Sequence, residues 1–378
     1  MENLTEEQQA VVAMVRDFAA TALAPHAAAW DEEKHFPVDV LAEAGALGMG
    51  GIYVGEDYGG SAMTRTDAVL IFEELAAADP SMAAYISIHN MVAWMIDAFG
   101  NETQRAAWLP GLTAMTELGS YALTEPGAGS DAGALTTRAV RDGDHYVING
   151  TKQFISGAGT SAWYVVMART ADTGSRGITA VVVPDGTPGL SFGVNEKKMG
   201  WRAQPTRQVI FEDVRIPVAN RLGEEGDGFM IAMKGLNGGR VNIGACSLGG
   251  GRAALEKSIT YLKERQAFGG PLIKQQHLLF EIADMDTELE TARTLLLRAA
   301  EALENGAPDT VKLCAMAKRV ATDAGFHVAN QALQLHGGYG YLSEYGLEKI
   351  VRDLRVHQIL EGSNEIMRLI VGRLAVED

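Results

Sequence analysis

A carboxylate near the C-terminal end of the 378-residue chain has the neighbours that proton chemistry needs. Glu361 follows Ile359 and Leu360 and precedes Gly362. Apolar surroundings raise the pKa of a carboxyl group, because burial disfavours its charged form, and they make it a stronger base near neutral pH. The glycine lets the backbone come close to a ligand. This pattern predicts a base that removes a weakly acidic C–H proton, although a glutamate before a glycine is by itself typical of a surface turn.

A glycine-rich loop and an aromatic residue offer two ways of holding a flat, polar-edged group. The loop runs from Tyr121 to Asp131 with the sequence YALTEPGAGSD. Its backbone N–H groups could bind an anion, and the hydroxyls of Thr124 and Ser130 could add donors. It matches neither the dinucleotide fingerprint nor the P-loop, so an ordinary Pro-Gly loop is the alternative. Phe154, close to the hydroxyl of Ser156, could pack on a ring, with a core strand residue as its alternative.

Three segments in the last 150 residues combine glycine with arginine or glutamine. The run Asn237–Arg240, NGGR, is predicted to open a helix, where N–H groups and the guanidinium would favour an anion, or else to form a structural salt bridge. Arg265 is suited to a pyrophosphate and Gln276 to a nucleotide edge. The segment Gln334–Tyr341 contains three glycines, which is more than a helix cap requires.

Composition excludes several classes of function. With 32 basic and 48 acidic residues the net charge is −16, which argues against a nucleic-acid or anionic-membrane surface. The longest apolar stretch, Ser81–Ile96, is too short to span a bilayer. The two cysteines, Cys246 and Cys314, make no disulfide framework, and no cluster has metal-ligand spacing. The acidic, amphipathic N-terminus resembles a folded helix more than a signal, so we expect a bacterial-type cytoplasmic protein, with the mitochondrial matrix as the alternative.

Periodicity divides the chain into three parts, at 1–117, 118–222 and 223–378. The first part is predicted to be helical over Glu6–Leu23, Val38–Gly45, Thr66–Ala78, Met82–Phe99 and Glu102–Leu109, with breaks at Pro80 and Pro110. The second alternates short β-branched or aromatic runs with turn signals at Asp142-Gly143, Asn149-Gly150, Thr173-Gly174 and Asp185-Gly186. The third has long apolar faces over Phe280–Leu303 and Val311–Leu335, which predict a helical bundle.

These segments, taken in order, resemble the acyl-CoA dehydrogenase family over essentially the whole chain. LTEPGAGSD (123–131) and QLHGGYGYLSEYGLEKIVRD (334–353) are similar to its two signatures and lie roughly 200 residues apart. Within the family, GWRAQPT (200–206), NGGR (237–240) and VHQILEGSNEIMR (356–368) look most like the members that oxidise isobutyryl-CoA in valine breakdown. The resemblance implies an α+β multidomain fold, with an N-terminal helical domain, a middle β-barrel and a C-terminal four-helix bundle, assembled as a homotetramer.

The same resemblance implies a bound FAD and assigns residues to it. Its flavin would be lined or flanked by Tyr121, Leu123, Thr124, Gly129, Ser130, Phe154, Ile155 and Ser156. Many relatives carry tryptophan where this chain has Phe154. The adenosine diphosphate part would contact Arg265, Phe268, Gln276, Gln334, Leu335, Gly337 and Gly338, supplied by a neighbouring subunit. Ser363, Asn364 and Glu365 would also touch FAD, and the substrate would contact Ser130, Asn237, Gly238, Gly239, Arg240 and Gly362.

The implied reaction is α,β-dehydrogenation of an acyl-CoA thioester. Glu361 would remove the α-proton while the β-hydride passes to flavin N5. Some relatives place the base on an earlier helix, immediately before the arginine that matches Arg240, but this chain has Gly239 there, so Glu361 is the candidate. We expect isobutyryl-CoA as substrate, before 2-methylbutyryl-CoA and butyryl-CoA, and electron-transferring flavoprotein as acceptor. An acyl-CoA oxidase and a non-catalytic acyl-CoA- or flavin-binding scaffold are the other classes.

Overall fold

The computed structural model describes residues 4–376, which contain eleven α-helices and ten β-strands. The helices are α1 Glu6–Phe18, α2 Ala27–Glu33, α3 Val38–Ala46, α4 Arg65–Ala78, α5 Pro80–Phe99, α6 Glu102–Thr113, α7 Gly228–Glu264, α8 Gln276–Glu304, α9 Thr310–Leu335, α10 Leu347–Arg355 and α11 Asn364–Val376. The strands are β1 Gly119–Ala122, β2 Arg138–Asp142, β3 His145–Ser156, β4 Trp163–Arg169, β5 Ile178–Pro184, β6 Leu190–Phe192, β7 Thr206–Pro217, β8 Arg221–Leu222, β9 Gln266–Ala267 and β10 Gly270–Pro271. The predicted order of helices, sheet and helices is confirmed.

The N-terminal helices begin and end close to the predicted positions, with one difference at proline. The predicted break at Pro80 is confirmed, because α4 ends at Ala78 and Pro80 is the first residue of α5, which Asp79 caps by accepting a hydrogen bond from the Ser81 N–H. Pro110 lies inside α6, which continues to Thr113, so the predicted break there is wrong. Proline removes only its own N–H, and the Thr113 hydroxyl supports the last turn by donating to the Leu109 carbonyl.

The middle part is an eight-stranded sheet with the order β6-β7-β3-β2-β4-β5-β8, and β1 pairs in parallel with β4. The predicted turn at Asn149-Gly150 is wrong, because both residues lie inside β3, where the pairing with β7 shifts register. Gly150 has a φ of 146°, and a side chain there would meet Thr137. Asn149 exchanges two hydrogen bonds of 2.9 Å with Asp213 on β7. The signal marks a β-bulge and not a hairpin.

Helix α7, 37 residues long, packs on α8 and α9 and, through its other side, on α4 and α5. The run Asn237–Arg240 lies inside it, nine residues after its start, so the predicted helix opening there is wrong. Glycines in these helices permit close packing: a side chain at Gly249 would collide with the Glu73 carbonyl of α4, and one at Gly325 with the Ser247 carbonyl. Tertiary packing therefore overrides the low helix propensity of glycine.

In the part of the chain that the structure describes, no helix combines the length and apolarity needed to cross a membrane.

Candidate functional site

Glu361 lies in the turn between α10 and α11, with its backbone at a φ of 54°. The residue is half-buried, yet its Oε2 atom is buried and has no hydrogen-bond partner among residues 4–376. The carboxylate packs against Gly239, which lies in the N-terminal third of α7. A Cβ atom added to that glycine would lie 2.8 Å from Glu361 Cδ and 2.9 Å from Oε1. The absence of a side chain at Gly239 therefore creates the space that the carboxylate fills.

Arg240 holds the backbone of this turn. Its Nε atom donates to the Glu361 carbonyl oxygen at 3.2 Å, and its Nη1 atom donates to Asn237 Oδ1 at 2.9 Å. The predicted substrate residues Asn237, Gly239 and Arg240 are thus brought beside Glu361. Because these bonds engage the guanidinium within the chain, it positions the turn and is only partly available to an anion.

A lysine that the sequence analysis did not single out binds the residues that follow Glu361 in this turn. Lys318 on α9 is fully buried, and its Nζ atom donates to the Gly362 carbonyl at 3.0 Å and to Asn364 Oδ1 at 2.8 Å. The Asn364 amide nitrogen in turn donates to Thr322 Oγ1 at 3.0 Å and to Asp323 Oδ1 at 2.8 Å. The side chain of Asn364, predicted to touch FAD, is therefore fully bonded within the protein.

Burial and two cations act in opposite directions on the base. Burial raises the pKa of Glu361 from its ordinary value of 4.5 to about 7, although the charges of Lys318 and Arg240 lower it. Burial also lowers the pKa of Lys318 to about 8, against the attraction of Glu361. At neutral pH the carboxylate can therefore both take and hold a proton, as a general base must.

A second buried arginine, also unpredicted, covers the neighbouring glycine. The guanidinium of Arg65 lies 3.6 Å from the centre of the Tyr53 ring, a cation–π contact. A Cβ atom added to Gly238 would lie 2.8 Å from Arg65 Nη1. The Tyr53 hydroxyl also accepts a hydrogen bond of 3.1 Å from Asn242 on α7. Arg65 therefore covers the Gly238 face of α7, which was predicted to contact substrate.

The glycine-rich loop brings an unpaired hydroxyl to the site. The Tyr121 hydroxyl on β1 is buried and makes no hydrogen bond within residues 4–376. Burial raises the pKa of this hydroxyl, and the charge of Glu361 raises it further. Beyond it, a Cβ atom added to Gly127 or Gly129 would meet nothing within 4 Å. Leu123 is buried, Thr124 is half-buried and Ser130 is exposed, so the loop offers an open backbone edge.

Glu125, within the same loop, anchors it and was not predicted to have a role. Its Oε1 atom pairs with the buried Lys152 at 2.8 Å, and its Oε2 atom accepts from the N–H of Thr136 at 2.7 Å. Burial alone would raise the pKa of Glu125, but the charge and hydrogen bond of Lys152 outweigh it and lower the pKa to about 2. A tightly bonded carboxylate thus fixes the loop while its glycines stay uncovered.

Phe154 lies at the surface, whereas its neighbour Ile155 lies in the core. Phe154 has a φ of 60° and is 63% exposed, at a second register shift of β3 between Lys152 and Ile155. The Ile155 side chain lies in the core of the middle part, and the Ser156 carbonyl accepts from Ser120 Oγ at 2.6 Å. The bulge therefore turns one aromatic ring outward, whereas the side chain of Ile155 is not available to a ligand.

Ser363 and Glu365 flank Asn364 just after Glu361, whereas the other predicted FAD residues lie at the C-terminal end of α7. Arg265, Phe268, Gln276, Gln334, Leu335, Gly337 and Gly338 sit where α7 ends, α8 begins and α9 ends. Phe268 is 90% exposed, and side chains added to Gly337 or Gly338 would meet nothing within 4 Å. From Gly239 to Glu264 the helix rises about 38 Å at 1.5 Å per residue. Within one chain, this far cluster and Glu361 are not brought together.

Comparison with known proteins identifies the class to which this arrangement belongs. Family models described as the N-terminal, middle and C-terminal domains of acyl-CoA dehydrogenase match residues 5–116, 120–214 and 226–375. The mitochondrial isobutyryl-CoA dehydrogenase of Bos taurus is 53% identical over 375 residues, covering 99% of this chain and 90% of that protein. The chain belongs to the acyl-CoA dehydrogenase family, whose members are FAD-dependent flavoproteins that act as oxidoreductases.

Two solved structures show the same architecture. Butyryl-CoA dehydrogenase from Megasphaera elsdenii is 39% identical and superposes with a TM-score of 0.96, with 99% of each chain covered. A chain from a structural study of the electron transferring flavoprotein of Acidaminococcus fermentans is 39% identical, with a TM-score of 0.97 over 100% of this chain and 99% of that one. The arrangement of an N-terminal helical, a middle β-sheet and a C-terminal helical domain is therefore that of the family.

The residues present fit a flavin. The exposed ring of Phe154, the open backbone edge at Gly127 and Gly129 and the unpaired Tyr121 hydroxyl are the apolar surface and the donors that such a ring system needs. FAD, when bound, supplies a hydride acceptor.

Proposed function

We propose that this chain removes hydrogen from the α and β carbons of a short branched acyl-CoA, converting isobutyryl-CoA to methacrylyl-CoA, with Glu361 as the base. One observation carries the proposal. The Glu361 carboxylate is buried against Gly239, has an unpaired oxygen within the described residues and has its pKa raised to about 7. A carboxylate that is withdrawn from water, has a pKa near neutrality and is not neutralised by a direct ion pair is suited to accept a proton from a substrate.

In the proton-transfer step, one side chain accepts the proton and another holds the base in position. Glu361 Oε2 receives the α-proton, and the carboxyl group then becomes neutral in an environment that favours its neutral form. Arg240 keeps the turn in place through the Glu361 carbonyl, so the carboxylate does not have to be ordered at the moment of reaction. The backbone N–H of Glu361 is the donor that the family implies for the developing enolate, and removing one such donor typically costs about 3 kcal/mol.

The branched substrate is supported by the 53% identity to an isobutyryl-CoA dehydrogenase. The 39% identity to a butyryl-CoA dehydrogenase favours the straight-chain thioester less strongly. Straight-chain butyryl-CoA and 2-methylbutyryl-CoA are therefore the alternatives. Butyryl-CoA differs from isobutyryl-CoA in the position of one methyl group, and 2-methylbutyryl-CoA has one additional methylene. A difference of one methylene is worth about 1–3 kcal/mol of binding free energy in a pocket.

Anaerobic titration of the flavin-loaded protein with isobutyryl-CoA, butyryl-CoA and 2-methylbutyryl-CoA tests both parts. The expected result is bleaching of the visible flavin band by all three thioesters, fastest with isobutyryl-CoA. Faster bleaching by butyryl-CoA would overturn the branched substrate but keep the reaction. A bound flavin that no thioester reduces would overturn the dehydrogenation itself and would favour the non-catalytic scaffold.

The split between the two clusters supports a homotetramer with shared flavin sites. The near end of α7 would bind the flavin, through the loop 121–130 and Phe154 to Ser156, while Ser363 to Glu365 approach it through their backbone. Because the far cluster lies about 38 Å away along one helix, its residues would hold the adenosine diphosphate part of an FAD bound by another subunit. Sedimentation of the FAD-loaded protein tests this, and a monomer that retains a full flavin content would refute it.

Finer features of the fold belong to the same proposal. The strand order, in which β1 adds to β4 outside the main path, supports a sheet that curls into a barrel. The mutual packing of α7, α8 and α9, completed by the shorter C-terminal helices, supports a four-helix bundle. The family-model limits support domain boundaries at 1–117, 118–222 and 223–378. Limited proteolysis tests the boundaries, and the masses of the fragments should place the cleavage sites near residues 118 and 222.

The acceptor and the location complete the proposal. Relatedness to the Acidaminococcus chain supports electron-transferring flavoprotein as acceptor. If the protein were an acyl-CoA oxidase, its substrate-reduced flavin would return electrons to air and release peroxide, whereas a dehydrogenase would keep its flavin reduced. The described cysteines Cys246 and Cys314 are buried and unpaired, as expected of a reducing compartment such as the bacterial cytoplasm. Fractionation separates that location from the mitochondrial one of the bovine relative.

A further inference from the structure

Lys318 is buried and has no carboxylate bonded to it among residues 4–376, which is unusual for an ammonium group. Its side chain is fully shielded from water, and its hydrogen bonds at 3.0 Å and 2.8 Å go to a carbonyl and an amide oxygen, both of them neutral. A glutamine side chain carries donors for neutral acceptors of this kind without the cost of burying a charge. The retained charge therefore calls for a reason beyond the two hydrogen bonds.

The position of Lys318 provides that reason. Both of its acceptors belong to the segment that immediately follows Glu361, so α9 is tied directly to the turn that carries the base. Among the charged groups near Glu361, Lys318 and Arg240 are the two cations that act on its carboxylate. The guanidinium of Arg240 donates to the carbonyl of Glu361 itself, whereas Lys318 donates to the carbonyl of Gly362 and to the side chain of Asn364. The turn that carries the base is thus held by two cations.

We propose that Lys318 is a positioning residue for the proton-transfer step, holding the turn that carries Glu361 through Gly362 and Asn364 and supplying a buried positive charge beside its carboxylate. The identity of the base rests on the proposed function. The role of the lysine follows from the contacts themselves. The other charged groups that act on this pair are Arg240 from α7, Asp323 from α9 and Glu365 from α11. The pair in turn acts on the titratable groups around it, which are Cys246 from α7, Tyr121 from β1, Tyr53 from the loop after α3 and the buried His357.

Two opposing effects define what the charge does. Burial pushes Glu361 toward its neutral form, in which it cannot accept a proton, and the ammonium pushes it back toward the carboxylate. Without Lys318, only Arg240 would oppose burial. An opposite charge at close range typically lowers a carboxyl pKa by about 1–3 units, so a neutral residue at position 318 should leave the base mostly protonated at neutral pH.

The test compares three variants at one position. Lys318→Met removes both the charge and the donors, Lys318→Gln keeps donors without the charge, and Lys318→Arg keeps the charge. Lys312→Met changes an outward lysine of the same helix and serves as the matched control. Circular dichroism and flavin content are measured first, and Lys318→Gln decides the outcome if the methionine variant does not fold.

Infrared difference spectra against Glu361→Gln report the protonation of Glu361 without any turnover. The wild-type band should titrate at about 7, and the Met and Gln variants at a value higher by about one unit or more, whereas Arg and the control should stay near the wild type. The kcat/KM of Lys318→Gln should then fall about tenfold at pH 6 and recover above pH 8.5. Equal losses at every pH, or an unshifted infrared titration in both neutral variants, would overturn the proposal.

The two proposals fail in different ways. If no thioester reduces the flavin of the wild-type protein, the dehydrogenase reaction is wrong, while the infrared titration of Glu361 still decides whether Lys318 acts on it.

Discussion

The two ends of α7 are built on opposite principles. Around Gly239 the helix is enclosed by α4, α9 and the Glu361 turn, and Arg240 and Lys318 are bonded within the chain, whereas Glu361 Oε2 and the Tyr121 hydroxyl are buried without a partner among residues 4–376. At the other end, beyond Glu264, Phe268 is 90% exposed and the glycines after α9 face open space. The first end is enclosed by elements of one chain, whereas the second end presents an aromatic ring and glycine backbone that other residues in 4–376 leave uncovered.

This difference separates two kinds of functional surface. A site that removes a proton needs withdrawal from water and fixed geometry, which a single folded chain supplies by burial. A site that serves a ligand held by a neighbour must stay uncovered in the isolated chain. Changes at the enclosed end should therefore alter catalysis without altering assembly, and changes at the exposed end should do the reverse.

The largest effect at the enclosed end should come from Glu361→Gln. The amide keeps the shape of the side chain but cannot take a proton, so turnover of the flavin-loaded protein should fall by about 100- to 10,000-fold. Flavin content and subunit number should not change. Stopped-flow flavin reduction by isobutyryl-CoA measures the loss, with the exposed Glu33→Gln as control. Near-normal reduction in Glu361→Gln would remove this residue as the base.

A smaller loss should follow Gly239→Ala. The added methyl group would lie 2.8 Å from Glu361 Cδ, so the carboxylate must move, and a displacement of about 1 Å can cost about 100-fold in rate. Alanine favours a helix over glycine, so a loss of intrinsic helix stability is not the expected cause. The same kinetic assay applies, with Gly372→Ala as a matched helical control, because nothing lies within 4 Å of its added Cβ atom. Unchanged kinetics would show that the Glu361 carboxylate accommodates the added methyl group without losing its active position.

The buried carboxylate should also make stability depend on pH. The pKa of Glu361 is raised from 4.5 to about 7 on folding, so its favourable contribution is complete below pH 4.5 and is lost as the pH rises to 7. Above that pH, the ionised group should cost about 3 kcal/mol. Glu361→Gln should therefore raise the melting temperature relative to wild type at pH 8 but not at pH 4.5. An equal difference at both pH values would contradict burial as the cause.

The smallest effect, and one of a different kind, is expected at the exposed end. Phe268→Ala should leave the fold of the chain intact, because the ring is almost fully exposed. It should weaken subunit association or FAD retention about tenfold, as the loss of an aromatic interface contact typically costs more than 1 kcal/mol. Sedimentation and flavin content measure this, and Val194→Ala, an 86% exposed residue of the middle part, is the control. Equal effects in the two variants would argue against a special role for Phe268.

The sequence predicts the enclosed end unevenly. Glu361, Gly239 and Arg240 could be found because glycine and charge stand together in short motifs. Lys318 and Arg65 could not, because neither stands in a motif and each becomes notable only through its tertiary contacts, with Gly362 and Asn364 for Lys318 and with Tyr53 and Gly238 for Arg65. Burial of a charge is a tertiary property, so no local pattern carries it.

Errors in the predicted fold have the same origin. Asn149-Gly150 has the composition of a hairpin turn but lies in a bulge, because pairing with β7 supplies the hydrogen bonds that a turn would otherwise supply. The NGGR run reads as a helix start but lies inside α7, because its glycines fit against Arg65 and the Glu361 turn. Periodic apolar faces, by contrast, located α8 and α9 within a few residues.

Because α7 is one uninterrupted helix, it fixes the distance between the Glu361 site and the far cluster. Both functional ends are attached to one rigid rod, so their separation and their relative angle are set by residue count alone. A single inserted residue between Gly239 and Glu264 would turn the distal end by about 100° and shift it by about 1.5 Å. Such a change would misdirect the far cluster even if every side chain were retained. Length variation should therefore be tolerated in the loops and excluded from this segment.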